Sequence, residues 1–293
     1  MKIAISSYCF HTLVRDEGLS WFDVVDKVKA LGADGIEFSA FDAPPGVDKL
    51  AYAAELGAAC RAAGLPVVNY AIAANFLFNT DAELDAEVNR LDGELAIARS
   101  LGAPLMRHDV LAWGAKLSGS GLSFEGAVAK IAVGVREVTR RAELMGIRTC
   151  TENHGYYMQG ADRVARLFAA VNHKNYGILA DVGNFICADE DGAIALGLLM
   201  PYVFHVHVKD MLYRSGMEPS PGPGWGMTRG GNFFRGAVLG QGQTPLLPAL
   251  RILKNAGYDG YVSIEYEAEQ HPDVGVPASL DNLRKLIGIV MAE

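Results

Sequence analysis

Short apolar runs alternate with longer amphipathic ones along the whole chain. Eight of the short runs have the β-branched and aromatic character of strands: "KIAISSY", "DGIEFS", "PVVNYAI", "PLMRHDV", "IRTCTEN", "YGILADV", "VFHVHVKD" and "YVSIEYE". Between them lie segments with helical spacing, "WFDVVDKVKALGA", "KLAYAAELGAACRAAG", "AELDAEVNRLDGELAIARSLGA", "FEGAVAKIAVGVREVTRRAELMG", "DRVARLFAAVN" and "LLPALRILKNAG". Ser20 with Asp23 three residues later reads as a capping box, and Asp48 stands where an N-cap belongs. Glycine closes several of these helices and a strand follows at once, as in "LGADGIEF" and "MGIRTCTE". Such a glycine relieves the left-handed conformation of the helix cap. Eight βα units in 293 residues predict an α/β fold, a (β/α)8 TIM barrel forming a single domain over residues 1–293. A doubly wound open sheet is the rival, but the first strand is not followed by the GxGxxG phosphate loop.

One stretch breaks the alternation. Residues 211–245 are rich in Gly and Pro and follow the seventh strand. A connection this long inside a compact domain predicts a functional loop, here a lid over the barrel mouth. Trp225, Phe233 and Phe234, with Arg229 and Arg235, are the residues expected to order it. The competing reading is a loose surface insertion.

Composition narrows the function classes. Half the residues are hydrophobic and a fifth are charged, as in a globular protein with a sizeable core. The net charge of −8 argues against nucleic acid as a partner, since phosphate binding needs a basic stripe. Cys9, Cys60, Cys150 and Cys187 are scattered without CxxC spacing, which reads as reduced thiols in a cytoplasmic protein. The opening "MKIAISSYCF" is too short and polar for a signal peptide, and no apolar run approaches the roughly 18 residues of a membrane helix.

In a (β/α)8 barrel the chemistry lies at the C-terminal ends of the strands. The polar residues gather there. Strand five ends in Glu152, Asn153 and His154, and strand six in Asp181 and Asn184. Strand seven ends in His207 and Lys209, and strand eight in Glu265 and Glu267. Alternation puts His205, His207 and Lys209 on one face, with His205 one layer deeper and expected to be a bonded core residue. Taken singly, each residue has a structural explanation as a cap, an ion-pair member or a satisfied core histidine. Taken together they do not, because several carboxylates around one mouth are costly unless cations pair with them. Two glutamates, an aspartate and a histidine suit a divalent ion with mixed oxygen and imidazole ligands. Tyr8, Glu37, Asn69 and His108 are candidates for binding substrate hydroxyls, as are Asn184 and Arg235; Asn75 and Asn79 are weaker ones. Arg107 and His108 cannot both face inward on a regular strand, and His108 is the preferred one.

"CTENH", "ADVGNF", "HVHVKD" and "VSIEYE" resemble the four metal-binding strand ends of the xylose-isomerase-like TIM barrel superfamily, in its sugar phosphate isomerase/epimerase branch. The resemblance runs from the first strand to the last. It implies that Glu152, Asp181, His207 and Glu265 hold one divalent metal ion. Mn2+ is favoured, and Co2+, Mg2+ and Zn2+ complete the family's range. It further implies an isomerase or epimerase of a small keto-sugar or inosose, acting through a metal-stabilised enediolate. Glu152 and Glu265 would transfer the protons, with His154 and Lys209 as further catalytic candidates. A homo-oligomer, dimer or tetramer, is the family's usual state. Asn184 departs from the histidine that several ketose epimerases carry three residues after the strand-six aspartate, and an amide cannot exchange protons as imidazole does. The alternative is therefore a lyase or dehydratase on a 3-keto-sugar, keto-glycoside or inosose. An abasic-site endonuclease is remote, because it needs a three-metal cluster and a basic DNA surface. A non-catalytic sugar-binding protein is the remaining alternative.

Overall fold

The computed structural model of the chain describes residues 1–78, 80–111 and 121–293. Each of the eight apolar runs forms a strand: β1 (Lys2–Ser6), β2 (Gly35–Ser39), β3 (Val67–Ile72), β4 (Leu105–His108), β5 (Arg148–Glu152), β6 (Tyr176–Asp181), β7 (Val203–Val208) and, after three strands described below, β11 (Tyr261–Ile264). They close a barrel in the order β1-β11-β7-β6-β5-β4-β3-β2, every pair parallel. The first and last strands pair directly, so a single barrel uses both ends of the chain. Its outer layer is α1 (His11–Glu17), α2 (Trp21–Ala30), α3 (Lys49–Ala62), α4 (Asp81–Leu101), α5 (Phe124–Leu144), α6 (Ala161–Val171), α7 (Gly192–Leu199), α8 (Leu246–Asn255) and α9 (Pro272–Ala292).

The local signals act as their chemistry requires. Ser20 Oγ accepts from Asp23 N while the Asp23 carboxylate accepts from Ser20 N, completing the capping box of α2. Asp48 caps α3 through Ala51 N. Gly32 and Gly146, at the ends of α2 and α5, take φ of 71° and 73°, which a side chain would resist. The four cysteines are all buried and unpaired. Among the described residues no helix is long and apolar enough to cross a membrane.

The 211–245 segment differs from the expected loop. It contains a three-stranded antiparallel sheet in the order β8-β10-β9, from β8 (Asp210–Arg214), β9 (Gly226–Met227) and β10 (Phe233–Ala237). This sheet is pinned to the C-terminal side of the barrel by specific bonds. Tyr156 Oη donates to Met227 O, and Arg229 N donates to Cys187 O. The Asp189 carboxylate accepts from Thr228, Gly230 and Asn232.

Asp210 anchors the far end of the segment. Its buried carboxylate accepts from the backbone N–H groups of Met211, Gly240, Gly242 and Thr244, at 2.8–2.9 Å. Hydrogen bonds to a charged group contribute about 1.5–3 kcal/mol each. Asp210→Asn turns a donor toward these donors and is expected to destabilise the fold by roughly 2–4 kcal/mol. Hydrogen exchange checks this: the Gly240, Gly242 and Thr244 amides should exchange faster while the barrel strands keep their protection.

Candidate metal centre at the barrel mouth

The barrel interior sets which side chains reach the mouth. Leu105, Cys150 and Leu179 pack together as a small interior cluster. One pleat further along β4, β5 and β6, on the same face, stand Arg107, Glu152 and Asp181. Asp181 lies beside His207 in the β6–β7 register. Glu265, the residue after β11, donates its N–H to Val208 O and is thereby fixed against β7. Glu152, Asp181, His207 and Glu265 offer ligand atoms that all lie within 4.8 Å of one another.

Each member is held from behind. Asp181 Oδ1 accepts from Gly183 N at 2.8 Å and Asn184 N at 3.0 Å, leaving Oδ2 paired with Lys209 Nζ at 3.1 Å. Asn153 clamps the Asp181 backbone from both sides, accepting from its N–H and donating to its carbonyl. Glu152 receives Asn184 Nδ2 on one oxygen at 2.8 Å and Arg107 Nη2 on the other at 2.6 Å. His207 Nδ1 lies 3.5 Å from Glu265 Oε1 and 3.7 Å from Glu152 Oε1 and makes no hydrogen bond. Lys209 is buried, with Nζ 2.5 Å from Glu265, 2.9 Å from Glu267 and 3.1 Å from Asp181. Gly183 makes room for it, since a Cβ there would clash with Lys209 Cγ.

Charge explains how these groups titrate. Burial lifts the Asp181 carboxyl to about 7; Lys209 opposes the rise, while Glu152 and Glu265 add to it. Burial would also raise Glu152, but Arg107 and His207 outweigh it and hold that carboxyl well below the usual range. Burial disfavours charge on Lys209 and His207 too, yet the surrounding carboxylates push both well above their ordinary values. Glu37, Asp109, Glu152, Asp181, Glu265 and Glu267 crowd a region whose ion pairs, among the described residues, include two permanent cations, Arg107 and Lys209. The surplus of negative charge, the His207 Nδ1 that makes no hydrogen bond and the Asp181 Oδ2 that accepts none fit a divalent ion bound by three carboxylates and one imidazole.

The remaining expected site residues divide. Asn184 is at the centre, engaged with Glu152. His154 is at the rim, its Nδ1 2.8 Å from Asp109 Oδ1. Tyr8 lines a cavity of about 610 Å³ beside the mouth, together with His11, Tyr266, Glu267 and Glu269. Glu37 is fully buried and faces His205 and His207 rather than open space; His205 is indeed a bonded interior residue. Asn69 is also fully buried, its Oδ1 accepting from Arg107 N while its Nδ2 makes no hydrogen bond. Arg235 sits in the antiparallel sheet, over the Trp225 ring and 3.2 Å from Glu269. Asn75 closes its own loop through Leu77 N, and Asn79 lies outside the described residues.

The His108 expectation is corrected. The residue turned toward Glu152 is Arg107, while the fully buried His108 ring packs on Phe76 and Tyr176. Burial lowers its imidazole to about 4, so it stays neutral. Arg107 and Asp109 are the residues that sequence reasoning missed. They form a run from Glu152 to His154, with Arg107 Nη2 also 2.9 Å from Asp109 Oδ1.

The sequence profile described as Xylose isomerase-like TIM barrel matches residues 25–286. An inosose dehydratase of Yersinia enterocolitica is 27% identical over 158 residues, 50% of this chain and 50% of that protein. One from Lactiplantibacillus plantarum is 29% identical over 154 residues, 52% of this chain and 50% of that protein. The match thus spans about half the length of these curated relatives. Among solved structures, the IOLI protein with a bound zinc atom superposes with a TM-score of 0.73 at 18% identity, over 100% of this chain and 98% of that one.

Proposed function

The chain belongs to the xylose isomerase-like TIM-barrel family, and on that footing we propose that it is a divalent-metal-dependent dehydratase of a small keto-sugar or inosose. The observation that carries this reading is Lys209, a buried ammonium wedged among Glu265, Glu267 and Asp181 beside the four candidate ligands. The dehydratase names of the curated relatives support it. Glu152, Asp181, His207 and Glu265 would hold the ion, with Mn2+ proposed and Zn2+ the first alternative, given the zinc in the fold relative. When bound, the ion supplies Lewis-acid polarisation of the substrate ketone.

The chain's own groups then move the protons. With Asp109 accepting from His154 Nδ1–H, the His154 ring takes the proton from the carbon beside the ketone. Glu152 is the weaker base, because Arg107 and Asn184 stabilise it as an anion. The C–H pair becomes the new C=C bond as the C–O bond to the β-hydroxyl breaks. Lys209 Nζ gives that oxygen a proton, water departs, and solvent exchange restores Lys209 and His154. The products are an unsaturated ketone and water.

A second reading is isomerisation or epimerisation, with Glu152 and Glu265 returning a proton to carbon. It draws on the presence of both glutamates in one four-residue cluster. Incubation with inososes and 3-keto-sugars in D2O separates the two. Mass loss of one water supports the dehydratase, whereas deuterium uptake with the skeleton intact supports the isomerase. If neither occurs with any member of the panel, both are wrong.

Metal binding should also depend on pH. In the metal-free protein the Asp181 value of about 7 lies above its ordinary 3.8. Its contribution therefore favours the fold at low pH and is lost as pH rises through about 7. A cation must displace the Asp181 proton below that point and finds the site open above it. The rise in Tm given by saturating Mn2+ is thus expected to be several degrees larger at about pH 8 than at about pH 5.5. Equal shifts in a thermal-melt series would contradict this account of the site's charge.

A further inference from the structure

Glu37 lies on β2, and both of its oxygens face histidine nitrogens. His207 Nε2 is 2.8 Å from Oε1 and 2.9 Å from Oε2, and His205 Nε2 is 2.9 Å from Oε2. An ionised carboxylate only accepts hydrogen bonds, so both Nε2 atoms must carry hydrogen. Two imidazole nitrogens converge on this one carboxylate, an arrangement that suits a group accepting two hydrogen bonds. Ser263 Oγ, 2.8 Å from His205 Nε2, fixes the second ring in place. The Nε2 side of His207 is therefore committed. Its other nitrogen, Nδ1, is the buried atom with no hydrogen bond, and it faces Glu152 and Glu265.

We propose that Glu37 is a positioning residue that locks the Nε2–H form of His207 and thereby selects Nδ1 as its metal-binding atom. This rests on the metal reading of the four-residue cluster given above. Outer groups that orient a ligating histidine also raise its basicity, and losing one typically costs about 10- to 100-fold in metal affinity. A glutamine at position 37 fills the same space but offers one acceptor and one donor. Its NH2 group, where it faces His207, requires an unprotonated Nε2 there and lets that ring place its hydrogen on Nδ1, the tautomer that cannot bind an ion through Nδ1.

The test uses Zn2+ as a diamagnetic probe with the full chain. Titration should show zinc affinity falling about 10- to 100-fold in Glu37→Gln, and unchanged affinity in a folded variant would overturn the proposal. Because that variant is buried, the wild type supplies an independent readout. With 15N-labelled histidine, His207 should show a protonated Nε2 and a zinc-shifted Nδ1. A bare Nε2 in the zinc-loaded protein would overturn the lock. A neutral His207 ring with its hydrogen on Nε2, in a wild type that binds no zinc, would uphold the lock and sink the metal reading instead.

Discussion

Glu265→Gln is expected to lower turnover by about 10²–10⁴-fold, the range for loss of a group acting in proton transfer or electrophilic activation. Divalent-ion affinity should fall by at least about 100-fold, since even groups one shell removed from a metal cost up to that much. The substitution keeps the side chain's shape and removes only the charge that faces His207 Nδ1 and Lys209 Nζ. It also relieves a region where carboxylates crowd one another. The metal-free variant should therefore melt no lower than the metal-free wild type, while the gain in Tm from added metal disappears. Calorimetric titration with Mn2+, paired with melting curves, reads both effects. A variant that binds metal at full occupancy would place the ion elsewhere.

Lys209→Met gives the second large effect, with the opposite signature for metal. Removing the ammonium leaves Asp181, Glu265 and Glu267 without that cation, and breaking a buried pair costs about 3–5 kcal/mol in the metal-free protein. A bound divalent ion should recover much of that loss, because it meets carboxylates that no longer share their charge with lysine. Mn2+ affinity is thus expected to hold or rise while dehydration falls by about 10²–10⁴-fold. If Lys209 delivers the proton to the departing hydroxyl, the variant should still exchange the substrate's C–H with D2O but release no water. Loss of exchange together with dehydration would show that Lys209 acts before the C–O bond breaks, and full dehydration would remove it from the mechanism.

The barrel and most of its mouth were legible because alternation in a parallel strand has one decisive feature here, a polar residue at the end of an apolar run. Glu152, Asp181 and His207 stand at such ends, and Glu265 follows one. β4 offered no such sign. Its neighbours Leu105 and Met106 are both apolar and buried, so the period could not tell Arg107 from His108. Glu37 was visible as a polar residue on β2, but its partners on β7 lie 168 and 170 positions away, a proximity that only barrel closure creates. Asp109 was missed because it follows the strand and acts through Arg107 and His154. The 211–245 segment hid a sheet because its glycines and prolines read as loop. Its strands are short, and docking on Asp189, Cys187 and Tyr156 supplies what local propensity lacks. α9 was obscured in the same way, by Pro272 at its start and Pro277 inside it.

The central claim is that a divalent ion at Glu152, Asp181, His207 and Glu265 makes this barrel an enzyme of keto-sugars or inososes. The most direct measurement strips the wild-type protein with EDTA and titrates Mn2+ back while following turnover of an inosose or 3-keto-sugar. The account predicts one saturable site per chain, with activity near zero before the titration and rising in proportion to occupancy. Full turnover in the stripped protein, or no saturable binding, would contradict it.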